Sequence, residues 1–82
     1  MFKIGTIVKH YIKTTSSVEK AYNNIKGIVV QSNATITEIK LLNNVISASD
    51  PDENYHEVGD NINCYTQYLT RVNTKTHLPK WF

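Results

Sequence analysis

The residues of this chain that could do chemistry are few and scattered. His10, His56, Cys64 and His77 are its only soft metal ligands. No pair of them has the close spacing of a zinc site, so no structural metal is expected. Cys64 would serve as a nucleophile only with a histidine beside it in space, and a half-buried structural thiol is the simpler reading. Asp50, Asp52, Glu53, Glu57 and Asp60 are oxygen donors for a hard cation, yet they lack the D-x-D-x-D-G spacing of a calcium loop. With three glycines in the whole chain, there is no Gly-rich loop to cradle a phosphate. No catalytic residue, metal or cofactor is assigned, and the chain is read as a non-enzyme.

What remains are recognition surfaces. Lys9, Tyr11 and Lys13 share one strand face and, with Lys26, Lys40 and Arg71, make a basic surface carrying an aromatic ring for stacking against nucleic acid. The plain alternative is a solvated face, on which lysine tips are the default. Trp81-Phe82 has two readings: it packs back over an open end of the fold, or it anchors a partner, as large apolar residues at a mobile terminus do. Tyr55 and Glu57, in the acidic stretch, join Trp81 and Phe82 as the residues assigned to a protein partner.

The elements that must position these residues are short. Eighty-two residues make one small domain, and 40% hydrophobic with 20% charged residues is ordinary for a globular chain. The formal charge of +2 argues only weakly for nucleic acid. One cysteine excludes an intrachain disulfide and fits a reducing compartment. No apolar run approaches a membrane span, and Met1-Phe2-Lys3-Ile4-Gly5 is too short and polar for a signal peptide, so a cytoplasmic protein is expected. Asn33-Ala34-Thr35 matches a glycosylation sequon but reads better as a hairpin turn.

The run Lys26-Gly27-Ile28-Val29-Val30-Gln31 is the densest β-branched stretch and predicts a buried central strand. Before it, residues 5–13 predict a first strand with Val8 and Ile12 facing the core. Between the two, Ser16 and Glu19 have capping-box spacing, and Val18, Ala21, Tyr22 and Ile25 make one apolar face of a helix ended by Gly27; a partly ordered loop is the alternative. After the central strand, Ser32-Asn33 and Asn43-Asn44 are turns flanking a strand over 35–42, and a short strand at 45–49 would complete an antiparallel meander. Asp50-Pro51-Asp52-Glu53 breaks the pattern or, with Asp50 as cap, opens a single helical turn, and residues 50–63 as a whole read as a mobile acidic loop tethered by Val58 and Ile62. Residues 65–72 read as a closing strand. The expected core is Val8, Ile12, Ala21, Ile25, Ile28, Val30, Ile39, Leu41, Ile46, Leu69 and Val72.

Gly5-x-Ile7-Val8-Lys9-His10, Gly27-Ile28-Val29-Val30, Ile39-x-Leu41 and Leu69-x-Arg71-Val72, taken in order, resemble the layout of small Src-homology-3-like barrels of the KOW/Tudor type, including short ones encoded by tailed phages. The resemblance spans most of residues 4–72. It implies a mainly β, five-stranded barrel over 1–72, here with one short helix between the first two strands, followed by a tail over 73–82. It also implies a binding module without catalysis. The expected function is a small adaptor or inhibitor, phage-encoded and acting in the host cytoplasm, that binds a protein partner through loops and tail. The alternatives are a nucleic-acid-binding domain using Lys9, Tyr11, Lys13, Lys40 and Arg71, and a structural subunit of a homo-oligomer. No membrane is involved.

Overall fold

A computed structural model describes residues 1–47, 50 and 52–72. The chain is mainly β. Its strands are β1 (Ile7–His10), β2 (Lys26–Ser32), β3 (Ile36–Leu41), β4 (Val45–Ile46), β5 (Asn54–His56), β6 (Asn61–Tyr65) and β7 (Leu69–Arg71), with one helical turn, α1 (Ser17–Lys20), between β1 and β2. A 3-10 turn over Thr66–Tyr68 joins β6 to β7. The main sheet has five antiparallel strands in the order β6-β3-β2-β1-β7, and β4 and β5 form a separate two-stranded ribbon. No ladder joins the outer strands β6 and β7 among the described residues, so the sheet is open between them.

The central strand is where the pattern predicted, but it faces the other way. Val29 is buried and belongs to the core cluster, whereas Ile28 is half-buried and Val30 is 36% exposed. Three β-branched residues in a row carry no alternation, so apolarity alone cannot choose the inward pair. Gly27 chooses it. A Cβ on Gly27 would lie 2.7 Å from Cδ1 of Ile39, a fully buried side chain that fills the space the glycine leaves. Val29 shares that face and pairs with Ile39, whereas the next pair is Gln31 with Glu38, which leaves Val30 as the extra residue of a β-bulge.

The helix is also shorter than its capping signal suggested. Ser16 caps it, accepting from the Glu19 N–H at 3.4 Å, but it ends after one turn, and Val18 is 54% exposed. Competing bonds pull the chain back to β1. The Asn23 side chain takes both the N–H and the carbonyl of Ile12, at 2.8 and 2.9 Å. His10 then pairs through its backbone with Asn24 and Ile25. The left-handed residue that turns the chain is Asn24, at φ 66, and not Gly27, which lies inside β2.

The meander stops after β3. Asn43 and Asn44 do not fold the chain back on β3: their side chains accept from the backbone N–H groups of Lys26 and Val58, at 2.8 and 2.9 Å. β4 therefore departs to pair with β5, and β6 takes the place beside β3. Residues 50–63, expected as a mobile loop, contain β5, a turn at Gly59 (φ 94) and the start of β6. Ile62 tethers this stretch by burial, whereas Val58 is exposed.

The core cluster is Val8, Ile25, Val29, Ile39, Leu41, Val45, Ile62, Cys64 and Leu69, with Phe2, Ala21, Tyr22 and Tyr55 packed against it. Ile46, expected inside, is 45% exposed, and its neighbour Val45 is inside instead. Ile12 and Val72 are half-buried. Ile7, on the face of β1 opposite Val8, is buried as well. A chain of hydroxyls crosses the end of the sheet: Ser32, Thr37 and Thr66 oxygens stand 2.8 Å apart in sequence, Ser32 Oγ accepts from the Phe2 N–H, and Thr66 donates to the Asn33 carbonyl.

Candidate functional site

The open side of the sheet holds a groove of about 640 Å³, a size suited to a ligand or a peptide segment. Five pieces of chain build it. The end of β1 contributes His10 and Ile12, the α1 connection Glu19 and Tyr22, β5 its last residue His56, and the 3-10 turn Tyr68. The fifth piece is β6, of which every residue lines the groove. Burial along β6 alternates, with Ile62 and Cys64 inside and Asn61, Asn63 and Tyr65 outside. A surface touching both sets runs along the strand's edge, because one face of a strand presents only every second side chain.

Aromatic rings dominate the rest. Tyr22 stacks on Tyr55 at 6.3 Å and 11°, and leans on His56 at 5.9 Å. His10 meets Tyr68 edge-on at 6.1 Å, and Tyr68 meets Tyr65 in the same way at 6.0 Å. Such pairs hold rings at fixed angles and leave π faces for a ligand. The two groups are joined where His10 Nδ1 lies 3.0 Å from the Tyr22 carbonyl. A carbonyl only accepts, so Nδ1 carries the proton in the neutral ring.

The electrostatics favour neutral forms. Burial pulls His10 below its ordinary value, against the opposing effect of the Tyr22 carbonyl. Burial also pushes the Cys64 thiol up to about 11, which keeps it protonated and a poor nucleophile. The Tyr22 phenol is raised by burial, then by Tyr55 and Cys64. Among the described residues Glu19 is the only carboxylate lining the groove, and no lysine or arginine among them lines it. His56 lies 4.0 Å from Asp60, whose carboxylate also accepts from the Glu57 N–H at 2.8 Å. No three His, Cys, Asp or Glu side chains are grouped to hold a metal among the described residues, and His77 lies outside them.

The residues assigned from sequence fall in three places. Tyr55 lies under Tyr22, with its hydroxyl donating to Ser47 Oγ at 3.4 Å, while Glu57 is exposed in the turn before β6. Trp81 and Phe82 lie outside the described residues. Of the basic set, Lys9 and Lys40 share the outer face of the sheet with Lys26, since Lys9 pairs with Lys26 and Lys40 with Ile28, the residue paired with Ile7. Arg71 pairs with Val8 and so belongs to the other face, and Tyr11 and Lys13 lie beyond the end of β1. The structure thus unites Lys9, Lys26 and Lys40 and separates Arg71 from them. Tyr22, Tyr65 and Tyr68 were missed as site residues. Their signal was compositional: five tyrosines in so short a chain, two of them three residues apart.

No family model matches the chain, and no match is found among curated proteins or solved structures. No helix among the described residues is long and apolar enough to cross a membrane.

Proposed function

We propose that this chain is a non-catalytic binding module whose site is the aromatic groove beside β6 and whose partner is a segment of another protein. The observation that carries the reading is the lining itself: rings of Tyr22, Tyr65 and Tyr68 around buried Ile62 and Cys64, with Glu19 as the only fixed charge among the described residues. Apolar sites with a few placed polar groups take ligands by burial and stacking. A nucleic-acid backbone needs cations at its phosphates, and the described residues lining this groove include none. The protonated Cys64 thiol argues against nucleophilic catalysis.

The fold assigned to this module is an open Src-homology-3-like barrel. Its support is the strand order, in which the first strand pairs with both the second and the last, and the 3-10 turn leading into that last strand. An adaptor or inhibitor of a host protein, as the likeness to small phage barrels implies, fits a site built for binding alone. A free cysteine fits a reducing cytoplasm.

The test is selection of a displayed random-peptide library on the full chain, followed by amide chemical-shift mapping of the enriched peptides. Shifts at Tyr22, residues 61–65 and Tyr68, with binding weakened by Tyr68→Ala, are the expected result. Peptides that map elsewhere overturn the assignment of the site. A second reading rests on Lys9, Lys26 and Lys40 sharing one outer face. It requires a single-stranded oligonucleotide to bind that face, with affinity falling steeply as salt rises.

A further inference from the structure

Asp60 accepts from the Leu41 N–H, and the Thr66 N–H donates to the Thr35 carbonyl. These bonds fix which residues of β6 turn their backbone toward β3. In an antiparallel ladder the direction alternates, so Ile62 and Cys64 point to β3 and Asn61, Asn63 and Tyr65 point away. Among the described residues no hydrogen bond takes up the outward N–H and C=O groups of Asn61 and Asn63 or the outward N–H of Tyr65, whereas the Tyr65 carbonyl caps the start of the 3-10 turn and is engaged there. Edges of this kind are normally guarded by charge, by proline or by a bulge. The outer residues of β6 are instead two asparagines and a tyrosine, all exposed, and the groove runs along this edge.

We infer that the groove takes an extended segment of a partner protein as an added antiparallel or parallel strand on β6, with a lysine or arginine of that segment meeting Glu19. This rests on the groove being the binding site and says how it binds. The outward groups of Asn61 and Asn63 and the outward N–H of Tyr65 would supply the ladder, and the rings of Tyr22, Tyr65 and Tyr68 would grip alternate side chains. The charge follows from the lining, where among the described residues one carboxylate stands without a fixed cation.

The probe is the strongest peptide enriched from the displayed library, made with single N-methyl groups along its backbone. Strand addition predicts a peptide without proline in its contact stretch, and about tenfold weaker binding on N-methylation at every second position, the loss of one or two ladder bonds. N-methylation at the intervening positions should leave affinity unchanged. Asn63→Pro removes an outward donor without breaking the β3 ladder and should weaken binding similarly. Glu19→Gln should weaken binding and flatten its salt dependence. If Asn63→Pro does not fold, the N-methyl series decides alone. Proline-rich peptides that shift groove amides with no alternation would overturn strand addition and leave the groove as the site. A concentration-dependent dimer with protected amides at 61, 63 and 65 would overturn the foreign partner in favour of a second copy. Peptides that map away from the groove would overturn both this inference and the site.

Discussion

Placing one methyl group on Gly27 tests how the central sheet is packed. The Cβ of Gly27→Ala would meet three atoms of Ile39, at 2.7, 2.9 and 3.0 Å. Ile39 is fully buried and lies in the middle strand of the β6-β3-β2 layer, so it has nowhere to retreat. Overpacking of this kind costs about 1–3 kcal/mol. Alanine would return about 0.4–1 kcal/mol by narrowing the unfolded ensemble, since this backbone conformation suits it. The expected net loss is about 1–2 kcal/mol, or roughly 5–10 °C in Tm for a domain of this size. Ile39→Val alone removes Cδ1, the nearest atom, and costs about 0.5–1.5 kcal/mol. In the double variant that removal takes away the 2.7 Å contact but leaves those to Cβ and Cγ1 at 2.9 and 3.0 Å, so the clash is relieved in part and the two changes should couple favourably by about 0.5–1 kcal/mol. Urea unfolding of the four proteins measures this. Additivity to within about 0.5 kcal/mol would refute the claim that Gly27 exists to admit Ile39.

Further expectations follow from burial and bonding. Val29→Ala should cost about 1.5–3 kcal/mol and Val30→Ala less than about 1, by the area each removes from water; equal losses in denaturant titrations would contradict the bulge. Thr37→Val leaves Ser32 and Thr66 short of a partner and should cost about 1–3 kcal/mol, whereas Thr37→Ser should recover most of it. His10 has a folded pKa below its ordinary 6.5, so the unfolded chain binds more protons between those two values. Stability contributed by neutral His10 is full above pH 6.5 and falls as pH drops toward the folded value. Stability measured from pH 8 to 5 should show a His10-dependent slope that His10→Gln lacks, and an imidazole titrating at or above 6.5 by NMR would remove its cause.

Strand content and the place of β1, β2, β3 and β7 were legible because β-branched residues mark them and Asn-rich turns separate them. Facing was not legible in β2, where Ile28, Val29 and Val30 are equally apolar and the deciding fact, the fit of Ile39 over Gly27, is a contact across strands. Helix length failed for a related reason. Ser16 and Glu19 announce a start, but the stop comes from Asn23 clasping Ile12, eleven residues away. In Asn61-Ile62-Asn63-Cys64-Tyr65 the alternation is complete, yet asparagine is a poor strand former and the acidic stretch before it resembles a loop. That misreading also hid the groove, whose long side is β6. The tyrosines were countable, but which of them meet depends on the 3-10 turn and on the open edge.

The hydroxyl relay from Phe2 to Asn33 has a property that its distances do not display. Each of its three oxygens has one hydrogen to give, and the last must be given to a carbonyl that can only receive. Thr66 therefore receives from Thr37, and Thr37 from Ser32, so every rotor in the row is set by its neighbour. Isolated hydroxyls sample several orientations, whereas these share a single polarity that the Phe2 N–H at one end and the Asn33 carbonyl at the other keep from reversing. Slow-exchanging hydroxyl resonances at Thr37 and Thr66 would be the spectroscopic mark of that order, and they would broaden together when the Asn33 turn opens.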